Sequence, residues 1–345
     1  MTRREGFILA ATLWALVALT VVAAYINGVT RTNVDNADRA KRMLQSELDR
    51  RGTEATLLYL LSTNRMNHRN LVLESEQHFD IDDQILTGDG DATLSLASDP
   101  YQGLGEVAFS LQDETGLVSI NTPSEPLMAR ALESLGVAPK IAAGLMPRIR
   151  DYIDKDHILT LDGAEDYDYA KADRPPPANW HLTTAMELNR VLGADGILDR
   201  AQWQRLRAMT TPRTLAAVNF NTMPPEVAAA ILETDVDNLA EFLAAREEES
   251  LSRLDRIREL TGQYAEVDSG LIATVPSVFL RMTTWWQHGG PRTVVGITLT
   301  PSTPIGPPAA APWRKEYRYS EPADHTGTLR QAATPLLGGQ PGDPT

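Results

Sequence analysis

The densest chemistry in this 345-residue chain lies in residues 151–173, where eight carboxylates stand against two lysines. Crowded like charges repel, and a hard divalent cation relieves the repulsion by accepting oxygen ligands. The spacing is not that of a calcium-binding EF-hand. Counting from Asp154, Asp156 takes the third position, but Ile158 and Leu159 fill the fifth and sixth, where an oxygen ligand and a turn glycine belong. From local sequence, a solvated acidic loop and a calcium loop both remain open. Paired carboxylates also perform hydrolysis. Nothing nearby supplies a nucleophile elbow, a phosphate loop or a zinc histidine pair. The six histidines (68, 78, 157, 181, 288, 325) show no ligand spacing. Trp285-Trp286 reads as core and partial cover rather than a ligand platform. The absence of cysteine excludes disulfides and thiolate chemistry. A net charge of -14 disfavours a phosphate-backbone partner. These features point away from an enzyme.

The elements that carry this loop begin with an apolar run. Residues 7–29 contain no charge. At about 1.5 Å per residue they reach roughly 34 Å, enough for a hydrocarbon core of about 30 Å. Arg3 and Arg4 precede the run, which places the N-terminus in the cytoplasm and the rest outside. A cleaved secretory signal, a plain signal anchor and a pilin-type leader cut between Gly6 and Phe7 all fit this segment. The helix is expected to continue to about residue 61, because no proline intervenes. Val34, Ala37, Lys41, Leu44, Leu48, Arg51, Ala55 and Leu58 follow helical spacing.

Beyond it, alternation at Val107, Phe109 and Leu111, a turn at 113–116, and alternation at Val118 and Ile120 predict a β-hairpin. A second β region covers 278–299, broken at Gly289-Gly290-Pro291, with an edge strand over 313–319. Helices are expected at 123–135, opened by a capping box at Thr122–Glu125, and at 139–154, 183–192, 201–208, 224–233, 236–248 and 253–260. A mostly helical block thus interrupts a β unit. Val118-Ser119-Ile120-Asn121-Thr122 echoes Val218-Asn219-Phe220-Asn221-Thr222, each Asn-Thr reading as a cap for the next helix. Residues 301–312 and 332–345 are rich in Pro, Gly, Ala and Thr and read as extended or disordered.

In order along the chain, these features resemble the minor pseudopilin K family of the type II (general) secretion pathway. The residues that carry the resemblance are Gly6-Phe7 with Ala11; Asp113-Glu114-x-Gly116 with Ile120-Asn121; Asp154-x-Asp156 with Gly163-Ala164-Glu165-Asp166 and Tyr169; and Val218-x-x-Asn221-Thr222-x-Pro224-x-Glu226-Val227. It covers about residues 1–300. Ala11 stands where most pilins place a glutamate that pairs with a neighbouring subunit, a substitution suited to a tip subunit. Glu5, and the proline-rich tail after Trp313, depart from the pattern.

The resemblance implies an α+β fold: a long N-terminal helix on a small antiparallel sheet, with a large all-α domain inserted in the sheet. The segments are then a prepilin leader (1–6), a transmembrane helix (7–29), its periplasmic continuation (30–62), a first β part (63–122), the α domain (123–264), a second β part (265–320) and a tail (321–345). It also implies a single-pass inner-membrane protein with its bulk in the periplasm, and partners of the I and J pseudopilin classes. A prepilin peptidase would cut before Phe7, which is then N-methylated, and an inner-membrane platform would drive assembly. Calcium is expected in the α domain, on Asp154, Asp156, Asp162, Glu165 and Asp168. The rival reading is a membrane-anchored periplasmic DNA-binding protein, from a faint helix-hairpin-helix likeness over 132–140. Cleavage before Phe7 removes two arginines and one glutamate and shifts the net charge from -14 to -15. Intact mass of membrane-extracted protein checks it: the mature mass starting at Phe7 is expected, and a full-length mass or a cut near Ala24 contradicts it.

Overall fold

A computed structural model describes residues 5–73, 92–121, 125–215, 217–232, 236–261, 272–300, 311–322, 328–332 and 334–337. Helix α1 (Glu5–Thr63) is continuous. Within it, Thr20, Thr30 and Thr32 bond their hydroxyls to carbonyls three or four residues back, so their polar groups are satisfied along the apolar stretch. Every described side chain from 10 to 44 is exposed. Only the last turns pack: Leu57, Leu58, Leu60 and Leu61 are buried, whereas Val34, Leu44 and Leu48 are more than half exposed. The eight-residue stripe expected from spacing is therefore not the buried face, apart from Leu58. The sheet is short and reaches only the end of a 59-residue helix.

Short strands β1 (Arg65–Met66), β2 (Asn70–Val72) and β3 (Thr93–Ser95) form a small antiparallel sheet. β4 (Tyr101–Gln102) and β5 (Val107–Asp113) open the main one. Phe109 and Leu111 of β5 join Leu57 and Leu61 in the first core. After β5 the chain leaves the sheet. The expected hairpin does not form: 114–116 make one 3-10 turn, and β6 (Val118–Ser119) pairs in parallel with a distant strand instead of folding back.

The helical block comes next as α2 (Glu125–Ser134), α3 (Pro139–Ile153), α4 (Asp166–Lys171), a 3-10 segment at Ala185–Arg190 and α5 (Arg200–Met209). β7 (Thr210–Thr211) is the partner of β6. Then come β8 (Val218–Asn219), α6 (Pro225–Leu232), α7 (Val236–Glu248), α8 (Leu254–Thr261) and β9 (Ile272–Ala273), with β8 and β9 again parallel. The capping-box residues 122–124 lie outside the described residues, as do 1–4 and the tail segments 301–310 and 338–345. β10 (Phe279–Trp286), β11 (Arg292–Leu299) and β12 (Trp313–Glu321) complete the main sheet, in the order β12-β11-β10-β5-β4. β5 and β10 are antiparallel neighbours from Leu280↔Asp113 to Trp286↔Val107. The α domain thus hangs from two adjacent strands and holds its own core around Leu132, Leu145, Tyr169, Leu206, Phe220 and Phe242.

The sequence echo becomes a structural repeat. Asn121 donates to the carbonyls of Leu182 (2.8 Å) and Pro212 (2.7 Å) and accepts from Leu182 N–H (2.8 Å). Asn221 does the same with Leu251 (3.1 and 2.7 Å) and Thr274 (3.2 Å). Pro212 and Thr274 each come just after the strand that returns to pair with the first one. The asparagines therefore clamp distant loops rather than cap helices, which corrects the sequence expectation. Both are buried, so truncation strands backbone groups away from water. Asn121→Ala and Asn221→Ala are each expected to destabilise the chain by about 2–4 kcal/mol in denaturant unfolding. A loss below about 1 kcal/mol in both would contradict the clamp.

Candidate metal centre

Helix α3 presents Leu145, Met146, Ile149 and Tyr152 to the core, and Asp151 comes with that buried face in its last turn. Its carboxylate is fully buried. It accepts from Thr160 N–H (3.2 Å), the Thr160 hydroxyl (2.7 Å) and Ala164 N–H (3.0 Å), folding 155–163 back onto the helix end. At Gly163 a Cβ would stand 1.9 Å from Asp151 Oδ2, so only glycine permits this approach. Asp162, beside it, takes the left-handed region at φ 63°, where a short polar side chain is tolerated. Helix α4, which the sequence did not announce, then docks through Tyr169. That ring is buried against Tyr152, and its hydroxyl accepts from Leu192 N–H at 3.0 Å. Burial pushes the Tyr169 phenol up to about 12.

The five carboxylates expected as ligands separate into different roles. Glu165 is 6% exposed; its side chain turns to the Asp168 N–H as one half of a capping box, and neither carboxylate oxygen has a closer partner among the described residues. Asp154 likewise has one buried oxygen without a partner. Asp156 accepts from Ile158 N–H within its own loop (2.8 Å). Asp162 is exposed on the turn. Asp168 accepts from Glu165 N–H (3.2 Å), which fixes the start of α4. The structure leaves oxygens of Asp154 and Glu165 without a close partner, within electrostatic reach of each other, and turns Asp156, Asp162 and Asp168 to local backbone or solvent. It adds two residues that spacing did not select: ligand atoms of His157, Glu165 and Asp166 all lie within 4.8 Å of one another. His157 stands 8 residues before Glu165 in an irregular loop, so no helical or strand period pairs them and linear spacing carried no signal.

Electrostatics mark the same place. The Glu165 carboxyl is raised above the ordinary range first by burial, then by the Asp151 and Asp154 charges. Asp154 is raised first by burial, then by Asp156 and Asp151. Converging carboxylates with raised pKa and orphaned oxygens fit a divalent cation. The amides that a helix-hairpin-helix module would offer to phosphate are spent. Leu135 and Val137 N–H bond to Leu132 O (3.1 and 3.2 Å), and Gly136 N–H bonds to Glu133 O (2.8 Å).

A folded-state pKa above the unfolded value means that the folded form binds more protons, so stability is lost as pH rises through it. In chelator, Glu165→Gln removes that repulsion and is expected to raise the melting temperature at pH 7 above wild type. It should also flatten the gain that wild type shows on acidification from pH 7 towards 5. A lower melting temperature for the variant in chelator would contradict this.

Residues 107–211 match the family model described as type II secretion system (T2SS), protein K. The chain is similar to type II secretion system protein K of Klebsiella pneumoniae, at 26% identity over 218 residues, 62% of this chain and 63% of that protein. It is also similar to the protein of the same name from Dickeya chrysanthemi, at 33% over 91 residues, 26% of this chain and 24% of that one. The chain therefore matches less than two thirds of the length of either relative. The fold matches a chain in the crystal structure of the GspK-GspI-GspJ complex from the enterotoxigenic Escherichia coli Type 2 Secretion System. The TM-score is 0.50 at 16% identity, covering 83% of this chain and 99% of that one, a likeness of fold.

Proposed function

We propose, from the premise that this chain belongs to the type II secretion system protein K family, that it is a minor pseudopilin at the tip of a periplasmic pseudopilus. One observation carries the reading. A domain of its own core hangs from two adjacent strands of a pilin-like frame, and the helix below is bare from residue 10 to 44. Such a helix is long and apolar enough to anchor in a membrane and to pack beside other pseudopilin helices. On this reading the α domain above it would clash with a further subunit stacked on top. The chain acts mechanically: with I- and J-class partners it primes the filament, whose growth pushes folded cargo towards the outer membrane. Prepilin peptidase frees the Phe7 amine, and the inner-membrane platform adds further subunits.

Ala11 fits that position, because a glutamate there would have no partner amine from a subunit above, and an unpaired acid in the bilayer is costly. Ala11→Glu is therefore expected to lower secretion or leave it unchanged in a complemented deletion strain. A gain in secretion, with the subunit found along the filament rather than at its end, would overturn the tip placement.

Calcium is proposed at the α3–α4 loop, with the buried Glu165 and the half-buried Asp154 as ligands. The ion would supply the positive charge that their orphaned oxygens lack. Binding to the folded form alone adds about 2.7 kcal/mol at a concentration one hundred times Kd. The detergent-extracted full chain should melt higher in millimolar calcium than in EGTA, and Asp154→Ala and Glu165→Ala should abolish the difference. Equal melting of wild type in both buffers would return the segment to a charged surface loop.

A further inference from the structure

The stripe along α1 that the sheet does not cover obeys a stricter rule than an amphipathic helix needs. Val34, Lys41, Leu48 and Ala55 stand seven residues apart, and Ala37, Leu44, Arg51 and Leu58 repeat at the same interval three residues later. These are the a and d positions of four heptads, the seam along which two helices supercoil. We propose that this seam is the docking surface for one helix of a different chain, lying parallel to α1, with acidic residues facing Lys41 and Arg51. The inference rests on the reading that the chain is anchored beside other pseudopilins, since a common membrane makes the helices parallel. Its own content is the seam, its register and the charge of the partner.

Three observations carry it. Every seam residue from Val34 to Ala55 is exposed, and only Leu58 at the upper end is buried. A helix in water gains most of its stability by packing an apolar face, and this stretch leaves that face bare. The upper end of the seam opens into a groove of about 830 Å³ between α1 and β12, lined by Arg51, Ala55, Leu58, Tyr59, Trp313 and Arg318 among others. A helix about 10 Å across fills that volume with roughly seven residues, one heptad. Tryptophan, tyrosine and arginine are the side chains that carry most of the binding energy at protein interfaces. Finally, the groove sets four cations (Arg50, Arg51, Lys315 and Arg318) against Glu47 and Glu54, a positive surplus on a chain whose net charge is -14. Both carboxylates are already shared: Glu47 pairs with Arg50 and Arg51, and Glu54 with Arg50 and Lys315.

Charge also decides which chain docks. In a parallel pair a faces a and d faces d, so a second copy would set Lys41 against Lys41 and Arg51 against Arg51 inside the interface. Like charges there reject the copy and select a helix with acids at those two levels. Those acids stand ten residues apart, about 15 Å along the axis.

The test uses the detergent-extracted full chain and two labelled four-heptad synthetic helices with leucine at the other seam positions. One carries glutamate at the levels of Lys41 and Arg51, the other lysine. Fluorescence anisotropy is expected to show the glutamate helix binding at least about tenfold tighter, the scale of replacing two close like-charge contacts by opposite-charge ones. In Lys41→Glu/Arg51→Glu the preference reverses. Both positions are exposed, so this variant keeps the wild-type melting temperature. The chain has no cysteine, so Leu44→Cys supplies its only thiol, and mild oxidant in the membrane is expected to give no disulfide-linked pair of this chain. No binding of either helix, equal binding of the two, or an unreversed preference in the double variant overturns the inference, as does a Leu44→Cys homodimer. Secretion and filament position, which test the tip reading, do not enter these readouts, so either reading can fail without the other.

Discussion

Two buried carboxylates stand where β5 ends, and the arrangement of the whole molecule turns on them. Asp113 and Glu114 have no solvent exposure. Charge in that position is tolerable only if every lone pair is used. Asp113 accepts from Thr115 N–H and hydroxyl, Asn219 Nδ2, the Thr222 hydroxyl, and Ser277 N–H and hydroxyl. Those donors come from the departing strand, the second half of the α domain and the returning chain. Glu114 takes Arg213 Nε at 2.7 Å and the Tyr317 hydroxyl, with the Arg281 guanidinium 3.7 Å away. It thereby ties the first half of the α domain to the sheet. Gly116 completes the joint, since a Cβ there would stand 2.6 Å from the Thr222 carbonyl oxygen. The α domain is fixed to the frame by this joint rather than by a flexible linker.

Above the joint, the helical block uses one device twice. A short strand, an asparagine two residues on, and a parallel strand that returns from far along the chain recur at 118–212 and 218–274. In each, one amide replaces the several backbone bonds that two-residue strands cannot make for themselves. The device secures loops that carry little regular structure, including the stretch leading to Leu182. The acidic loop beside it obeys the same logic with a carboxylate: Asp151 is spent on the loop backbone, which leaves Glu165 and Asp154 unsatisfied. That division separates a structural acid from acids whose oxygens the loop leaves unpaired.

Some of this was legible in residue order. Charge-free 7–29 and the absence of proline to 61 require a long helix, because helix propensity and bilayer length act locally. The alternation at 278–299 around Gly289-Gly290 marked both central strands, and Gly163 marked the turn of the acidic loop. The family resemblance rested on motifs whose order along the chain is itself sequence information.

Tertiary structure alone decided the rest, because those features depend on partners far away in the chain. β6 alternates like the second arm of a hairpin, yet its partner is 92 residues on. Asp113-Glu114 reads as a turn until Asn219, Ser277 and Tyr317 arrive around it. The stripe at Val34, Leu44 and Leu48 is as periodic as the buried one, but the sheet ends before reaching it. Among eight acids of equal composition, only folding could separate Asp151, whose carboxylate holds the loop backbone, from Glu165, whose carboxylate is buried beside it. Burial and hydrogen bonding, not residue type, set those roles.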